Sequence, residues 1–225
     1  MLSRFLNRLR PPGPPKPIGS DDVPPARRHS AHPAPEPRRS NGLKLFFETI
    51  PHSDGLQILD LGGLTEGNIN FLGSLGGTIH AVDLLGRFDT MKHELADRPL
   101  DSHAAHGFVN DFLNFPRKQF DAILAWDTLE FLDTDVLNLA IPRVQDILRP
   151  GGGLLTFFHT HGRGETVPVY RYEIEQIDRL RVDPKGTREL PNAFNNRSLE
   201  RLFQDFSSVK FFLTKNSLRE VIVVR

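Results

Sequence analysis

From Leu56 onward, apolar residues come in short runs separated by stretches of helical spacing. The runs Leu56–Leu61, Thr78–Leu84, Phe120–Trp126, Gly153–Phe158, Val209–Leu213 and Glu220–Val224 have the length and texture of strands. Between them, Thr65–Leu75, Arg87–Ala96, Thr134–Leu148 and Arg197–Phe206 place apolar residues three or four apart, which predicts helices; Asn196 is the expected N-cap of the last. Such alternation predicts an α/β fold around a mostly parallel sheet. The last two strands are joined by a turn at Lys215-Asn216-Ser217, too short for a crossover, so they are expected to pair antiparallel. Ahead of the first strand, Leu43, Leu45, Phe46, Phe47 and Ile50 predict a short helix covering the sheet, stopped by Pro51.

Residues 1–40 have a different texture. They hold 10 of the 18 prolines and carry 8 Lys/Arg against 3 acids, whereas residues 41–225 carry 20 against 25. A Pro-rich segment of this kind buries too little apolar surface to offset its ordering entropy, so it is expected to be a disordered Pro/Arg-rich tail, with the domain beginning at residue 41. Its first ten residues place Leu2, Phe5, Leu6 and Leu9 on one helical face; this suits either a surface anchor or one frayed turn ahead of the PPGPP breaker.

Composition excludes several classes. No apolar run approaches the roughly 18 residues of a membrane helix. Zero cysteines leave no disulfide, no thiolate zinc site and no cysteine nucleophile, and fit a reducing, cytoplasmic setting. The mild acidity of residues 41–225 argues against a broad nucleic-acid footprint.

The densest chemical signal is Gln57-Ile58-Leu59-Asp60-Leu61-Gly62-Gly63-Leu64-Thr65-Glu66-Gly67-Asn68, a strand running into a glycine turn and then a helix. Glycine permits close backbone approach to a ligand, and the first helical turn presents unpaired N–H groups. Asp83 ends the next strand, 21 residues beyond Gly62, the spacing at which a carboxylate reaches both hydroxyls of a ribose. By itself the segment also suits a plain strand-to-helix turn with a surface acid.

The later segments resemble class I S-adenosylmethionine-dependent methyltransferases. Asp60 and Gly62 match the acid and first glycine of that family's turn, and Asp83 its ribose-binding acid. Val109-Asn110-Asp111-Phe112-Leu113 looks like the third strand and the acid beside the adenine. Phe120-Asp121-Ala122-Ile123-Leu124-Ala125-Trp126-Asp127-Thr128-Leu129 looks like the fourth strand and its loop, and Leu148-Arg149-Pro150-Gly151-Gly152-Gly153 like the Leu-Lys-Pro-Gly-Gly turn before the fifth. The resemblance covers about residues 55–225 and implies a Rossmann-like, doubly wound, mostly parallel seven-stranded sheet with an antiparallel last strand. It also implies S-adenosylmethionine as cofactor, held by Asp60, Gly62, Gly63, Gly67, Asp83, Asp111, Phe112 and Trp126. The sequence departs from the family at Leu64, where a glycine is usual, and at Glu66. Leu64 is expected either to crowd the methionine end of the cofactor or to point into the core. If it closes the turn, the domain serves instead as a non-catalytic binding or scaffold module.

The sulfonium carries its own leaving group, so catalysis consists largely of orienting an acceptor, with a base needed only where the acceptor has a proton to lose. Candidate groups lie where strand ends meet loops: Asp127 after the fourth strand, and His159 and His161 after the fifth. Asp127 is expected to bind the cofactor's amino group, orient an acceptor or cap the following turn. The two histidines suit a base or an exposed loop, and no third ligand stands at a metal-binding spacing. His103 and His106 are read as surface residues. Gly162–Asn195, which holds Tyr170 and Tyr172, is expected to shape the acceptor pocket or to form a hairpin apart from it. A small-molecule acceptor is expected, because cytosine C5 chemistry needs a cysteine and the Asn/Asp-Pro-Pro-aromatic run of adenine methylation is missing after the fourth strand.

Overall fold

In the computed structural model, residues 36–51, 55–96, 98–214 and 217–225 are described. Most of the expected tail (residues 1–35) and Lys215 and Asn216 of the last turn lie outside them.

The chain runs β1 (Glu36–Arg39), α1 (Asn41–Thr49), β2 (Gln57–Asp60), α2 (Glu66–Ser74), β3 (Thr78–Ala81), α3 (Leu84–Leu95), α4 (Ser102–Phe112), β4 (Phe120–Trp126), a 3-10 turn (Thr128–Phe131), α5 (Thr134–Ile147), β5 (Leu148–His159), β6 (Thr166–Gln176), β7 (Arg179–Glu189), α6 (Asn196–Leu202), β8 (Ser208–Leu213) and β9 (Leu218–Val224). Six strands form the main sheet in the order β3-β2-β4-β5-β9-β8, and β1-β7-β6 form a second, antiparallel sheet. Strands β3, β2, β4 and β5 are parallel. β9 lies antiparallel to both β5 and β8, as the short last connection requires.

Three expectations need correction. Among the described residues the main sheet has six strands rather than seven, because the segment read as a third strand closes α4. Asp101 caps that helix by accepting from the Ala104 N–H at 2.8 Å, and Ala105, Phe108 and Val109 share its buried face, so the period is 3.6 rather than 2. The folded region also reaches back before residue 41: Glu36–Arg39 pairs antiparallel with Arg179–Val182. Pro37 fits there because, among the described residues, β1 is an edge strand with no further partner on one side. The last helix is capped by Asn195 instead of Asn196; its side chain accepts from Ser198 N at 2.9 Å and Ser198 Oγ returns the bond.

Both faces of the main sheet are covered. On one face, residues of α3, α4, α5 and α6 pack against Leu59, Ile123, Leu154 and Val221. On the other, Phe46 and Phe47 of α1 share a core with Leu124, Leu155 and Phe157, and the hairpin β6–β7 adds Tyr172, Ile174, Leu180 and Val182. All seven residues of β4 are buried, as expected of a central parallel strand covered on both sides. Buried Glu220 of β9 ties this second layer down: it accepts from Gly42 N at 2.7 Å and from Arg38 Nη2 at 3.3 Å, fixing the β1–α1 junction over the sheet. A Cβ on Gly42 would lie 2.9 Å from that of Glu220.

The Arg149–Gly153 turn shows why its residue types are needed. Asp121 accepts from Gln57 N at 2.8 Å and pairs with Arg149 Nη1 at 2.6 and 2.7 Å, locking β4 to β2 and to the start of β5. Gly151 has φ +78°, and a Cβ on Gly152 would meet the Arg149 carbonyl oxygen at 2.9 Å and that of Asp121 at 3.1 Å.

Candidate functional site

The carboxyl ends of β2, β3 and β4 open on one cavity of about 500 Å³, roofed by β6–β7. Gly62, Asp83, Trp126 and Asp127 form its sheet side, Gly86 and Asp89 come from α3, and Tyr170, Arg171, Tyr172, Lys185 and Arg188 come from the hairpin. Its size falls within the ~300–1,000 Å³ of small-molecule sites, at the position where open α/β sheets bind ligands.

Gly62 and Asp83 face each other across an isolated antiparallel bridge, so the acid expected to hold a ribose lies beside the glycine turn. Asp83 also caps α3, its Oδ1 accepting from Gly86 N at 3.0 Å. Gly63 adopts φ +79°, and Gly62 has no room for a side chain: a Cβ would sit 2.3 Å from Trp126 Cδ1. Leu64 neither plugs the cleft nor enters the core; it is 41% exposed and lies away from the cavity lining. Glu66, also exposed, opens α2 after the Thr65 cap.

Asp60 is buried and bound within the protein. It accepts from Trp126 Nε1 at 2.8 Å, from Gly62 N at 2.9 Å and from Asn68 Nδ2 at 3.1 Å. Burial pushes its carboxyl up to about 6, against the pull of those donors. Asp60 therefore anchors the turn through its own hydrogen bonds. Trp126 has φ +49°, a left-handed conformation that a bulky residue holds only when its surroundings impose it. Here its carbonyl accepts from Thr156 Oγ1 at 2.9 Å, and its ring stacks on Tyr172 at 5.3 Å and 6°. One ring face of Trp126, a residue expected to hold the cofactor, is thus covered by Tyr172.

Asp127 is buried where it meets the cavity. Its Oδ2 lies 3.3 Å from both Tyr170 N and Tyr172 Oη, and it makes no capping hydrogen bond to the 3-10 turn that follows. Burial first, then the neighbouring Glu130, raise it to about 7. The histidines are not in an exposed loop. His159 is the last residue of β5 and is 2% exposed, with Nδ1 2.5 Å from Glu130 Oε1; burial lowers its pKa. His161 is half-buried and its Nδ1 has no protein partner.

Asp111 and Phe112 do not join the site. Asp111 is exposed on the last turn of α4, and the ring of Phe112 packs in the core beneath Arg87, 5.5 Å from its guanidinium carbon. Their placement follows from the helix that replaces the expected strand. His103 and His106 are exposed on the same helix.

Four residues enter the site that sequence reasoning missed. Asn68 donates to Asp60 and to Tyr172 O, and its Oδ1 accepts from Ile174 N at 2.8 Å, so one side chain joins the glycine turn to the hairpin. Glu173 places Oε1 2.7 Å from Gly67 N, pairs with Arg181, and fills the space a Cβ on Gly67 would need. Arg188 pairs with Asp89 of α3 through two bonds of 2.8 and 2.5 Å. Glu130 holds His159. The only local signal was Asn68 itself, a poor helix former in the first turn after a Thr cap. The hairpin is therefore held at both ends of the cavity, at α2 and at α3.

Residues 59–156 match the family model of the methyltransferase domain. No curated protein matches the chain. Solved structures similar to it include the 1,6-didemethyltoxoflavin-N1-methyltransferase of Burkholderia thailandensis with bound 1,6-didemethyltoxoflavin and S-adenosylhomocysteine (16% identity, 81% of this chain and 74% of that one, TM-score 0.43). An S-adenosylmethionine-dependent methyltransferase of Mesorhizobium loti is similar over 80% of this chain and 96% of its own (15% identity, TM-score 0.48). The Haemonchus contortus phosphoethanolamine N-methyltransferase 2 in complex with S-adenosyl-L-methionine is similar over 82% and 52% (13% identity, TM-score 0.48). Residues 59–156, which hold the glycine turn and the parallel strands β3, β4 and most of β5, thus resemble a methyltransferase domain.

Proposed function

We propose that the protein methylates a small acceptor that has a proton to lose, with Asp83 holding the cofactor's ribose and Asp127 receiving that proton. The observation that carries this reading is the convergence of Asp83 and Asp127 on one cavity under the hairpin. Asp83 fits a ribose because its Oδ1 is engaged by Gly86 while its side chain still lines the cavity, and Gly62 leaves the backbone open beside it. The cofactor would supply an activated methyl on a sulfonium. Asp127, raised to about 7, is half protonated near neutrality, where a general base works best. Its neighbours Tyr170 and Tyr172 give the cavity an aromatic wall suited to a flat acceptor, and Arg171, Lys185 and Arg188 put positive charge on the hairpin side.

At a hundredfold excess over its dissociation constant, S-adenosylhomocysteine is expected to add about 2.7 kcal/mol of stability, or roughly 5–10 °C in melting temperature. Asp83→Ala should remove most of that shift in a thermal-shift titration. A wild-type protein that does not respond would overturn the reading. It would leave the non-catalytic binding module, which the Glu173 carboxylate on Gly67 N favours because it already occupies an amide of the turn.

A further inference from the structure

We propose that Glu130 and His159 form a buried positioning pair for Asp127, controlling how the acid that opens on the cavity gives up its proton. The proposal rests on the reading of Asp127 as the group facing the acceptor. Glu130 is three residues along the same 3-10 turn and His159 comes from β5, so the chain brings the pair together across 29 residues. Both are shut off from solvent, at 1% and 2% exposure. Both oxygens of Glu130 are engaged by the one residue: Oε2 accepts from His159 N at 2.7 Å, and Oε1 lies 2.5 Å from Nδ1.

That doubly held geometry fixes the Glu130 carboxyl three residues beyond Asp127 on the same turn, where its charge opposes the ionisation of Asp127. Burial drives Glu130 up to about 8, its bond from His159 N pulling the other way. The other groups around Asp127 are the phenols of Tyr170 and Tyr172 on β6, both raised by burial, and Arg38 on β1, whose charge acts on the tyrosines and on His159. Across the cavity lie Asp83, Asp89, Arg171, Lys185 and Arg188. Among these, Glu130 is the carboxyl whose charge adds to burial in raising Asp127. The imidazole ring faces Tyr170 at 6.3 Å and 17°, so the pair is also packed against the residue whose N–H binds Asp127.

The test is carboxyl-carbon NMR of the full chain, with Asp127→Asn assigning the resonance. The wild type should show Asp127 titrating in two steps, one its own and one that follows Glu130. Glu130→Gln should reduce this to a single step whose midpoint is lower by about one pH unit, still above the ordinary aspartate range because burial persists. His159→Asn keeps a donor near the Nδ1 position and should retain both steps, whereas His159→Leu removes it and should move the upper step to higher pH. The histidine variants carry the test even if Glu130→Gln does not fold. An Asp127 curve that is the same in Glu130→Gln and in His159→Leu as in the wild type would overturn the proposal. Because the titration needs neither cofactor nor acceptor, its failure is separate from a failure to bind S-adenosylhomocysteine.

Discussion

Asp60→Ala lowers the melting temperature by about 5–15 °C at pH 5.5 and shifts the tryptophan emission to the red. The substitution strips the acceptor from three donors at once: the Trp126 indole, the Gly62 amide and the Asn68 side chain. Asn68 keeps Tyr172 O, and Gly62 has some access to water, but the buried indole is left with nothing. A buried donor without a partner costs about 1–3 kcal/mol, and the void left by the side chain adds to it. A total of about 2–4 kcal/mol, at roughly 2–4 °C per kcal/mol for a domain of this size, gives the expected drop. Working at low pH matters. Above about 6 the ionised Asp60 itself opposes folding, so removing it offsets part of the loss and the drop should shrink by pH 8. Trp126 is the only tryptophan, so its emission reports directly on the anchor. Asp60→Asn retains an oxygen for the indole and should cost less than alanine. If Asp60→Ala melts within 2 °C of the wild type at pH 5.5, the carboxyl does not anchor the turn.

The parts of the fold that sequence pattern made legible are those whose causes are local. β4 reads directly because a strand covered on both faces is nearly continuous in apolar residues, and Phe120–Trp126 is so except for Asp121, which is paired with Arg149. The turn before β5 reads because Gly151 and Gly152 answer to backbone constraints within a few residues. The α4 segment misled because Val109, Phe112 and Leu113 suit either period; what settles it lies elsewhere, in the Asp101 cap and in Phe108 packed edge-on against Phe88 at 5.6 Å. The second sheet was hidden for another reason. β1 and β6 carry Pro37 and Pro168 as edge strands, and Pro184 of β7 sits beside an irregularity in its pairing with β6, so prolines that read as breakers are accommodated. In the site, Gly62, Asp83 and Asp127 were legible because strand ends in a parallel sheet converge whatever the side chains. The bonds that complete it span 29 residues for Glu130–His159, 99 for Asp89–Arg188 and 106 for Gly67–Glu173, and no spacing rule connects them. The same bonds hold the hairpin over the cavity, a placement that composition left undecided.

Global stability is expected to fall as pH rises from 5 to 8, opposite to the usual acid sensitivity of carboxylates. Asp60, Asp127 and Glu130 are raised to about 6, 7 and 8, above ordinary values of 3.8 and 4.5. An unfolded chain releases those protons near pH 4, while the folded one retains them into the neutral range. The native state therefore binds more protons throughout that window, and the slope of unfolding free energy with pH is negative. The stabilisation is fully present below the unfolded values and disappears as pH passes each folded value. His159 acts the other way: burial lowers it, so the unfolded chain protonates first, and stability from this group is gained as pH rises through about 6.5. One imidazole against three carboxyls leaves the fall dominant. Asp60 alone, moved from 3.8 to about 6, corresponds to about 3 kcal/mol. With a urea slope of roughly 2 kcal/mol/M, the unfolding midpoint should drop by about 1–2 M between pH 5 and pH 8. A midpoint that stays level or climbs across that range would mean that the three acids ionise freely in the folded protein. Since Glu130 has the highest of the three values and Asp60 the lowest, Glu130→Gln should flatten the upper part of the profile, between pH 7 and 8, and leave the part below pH 6 to Asp60.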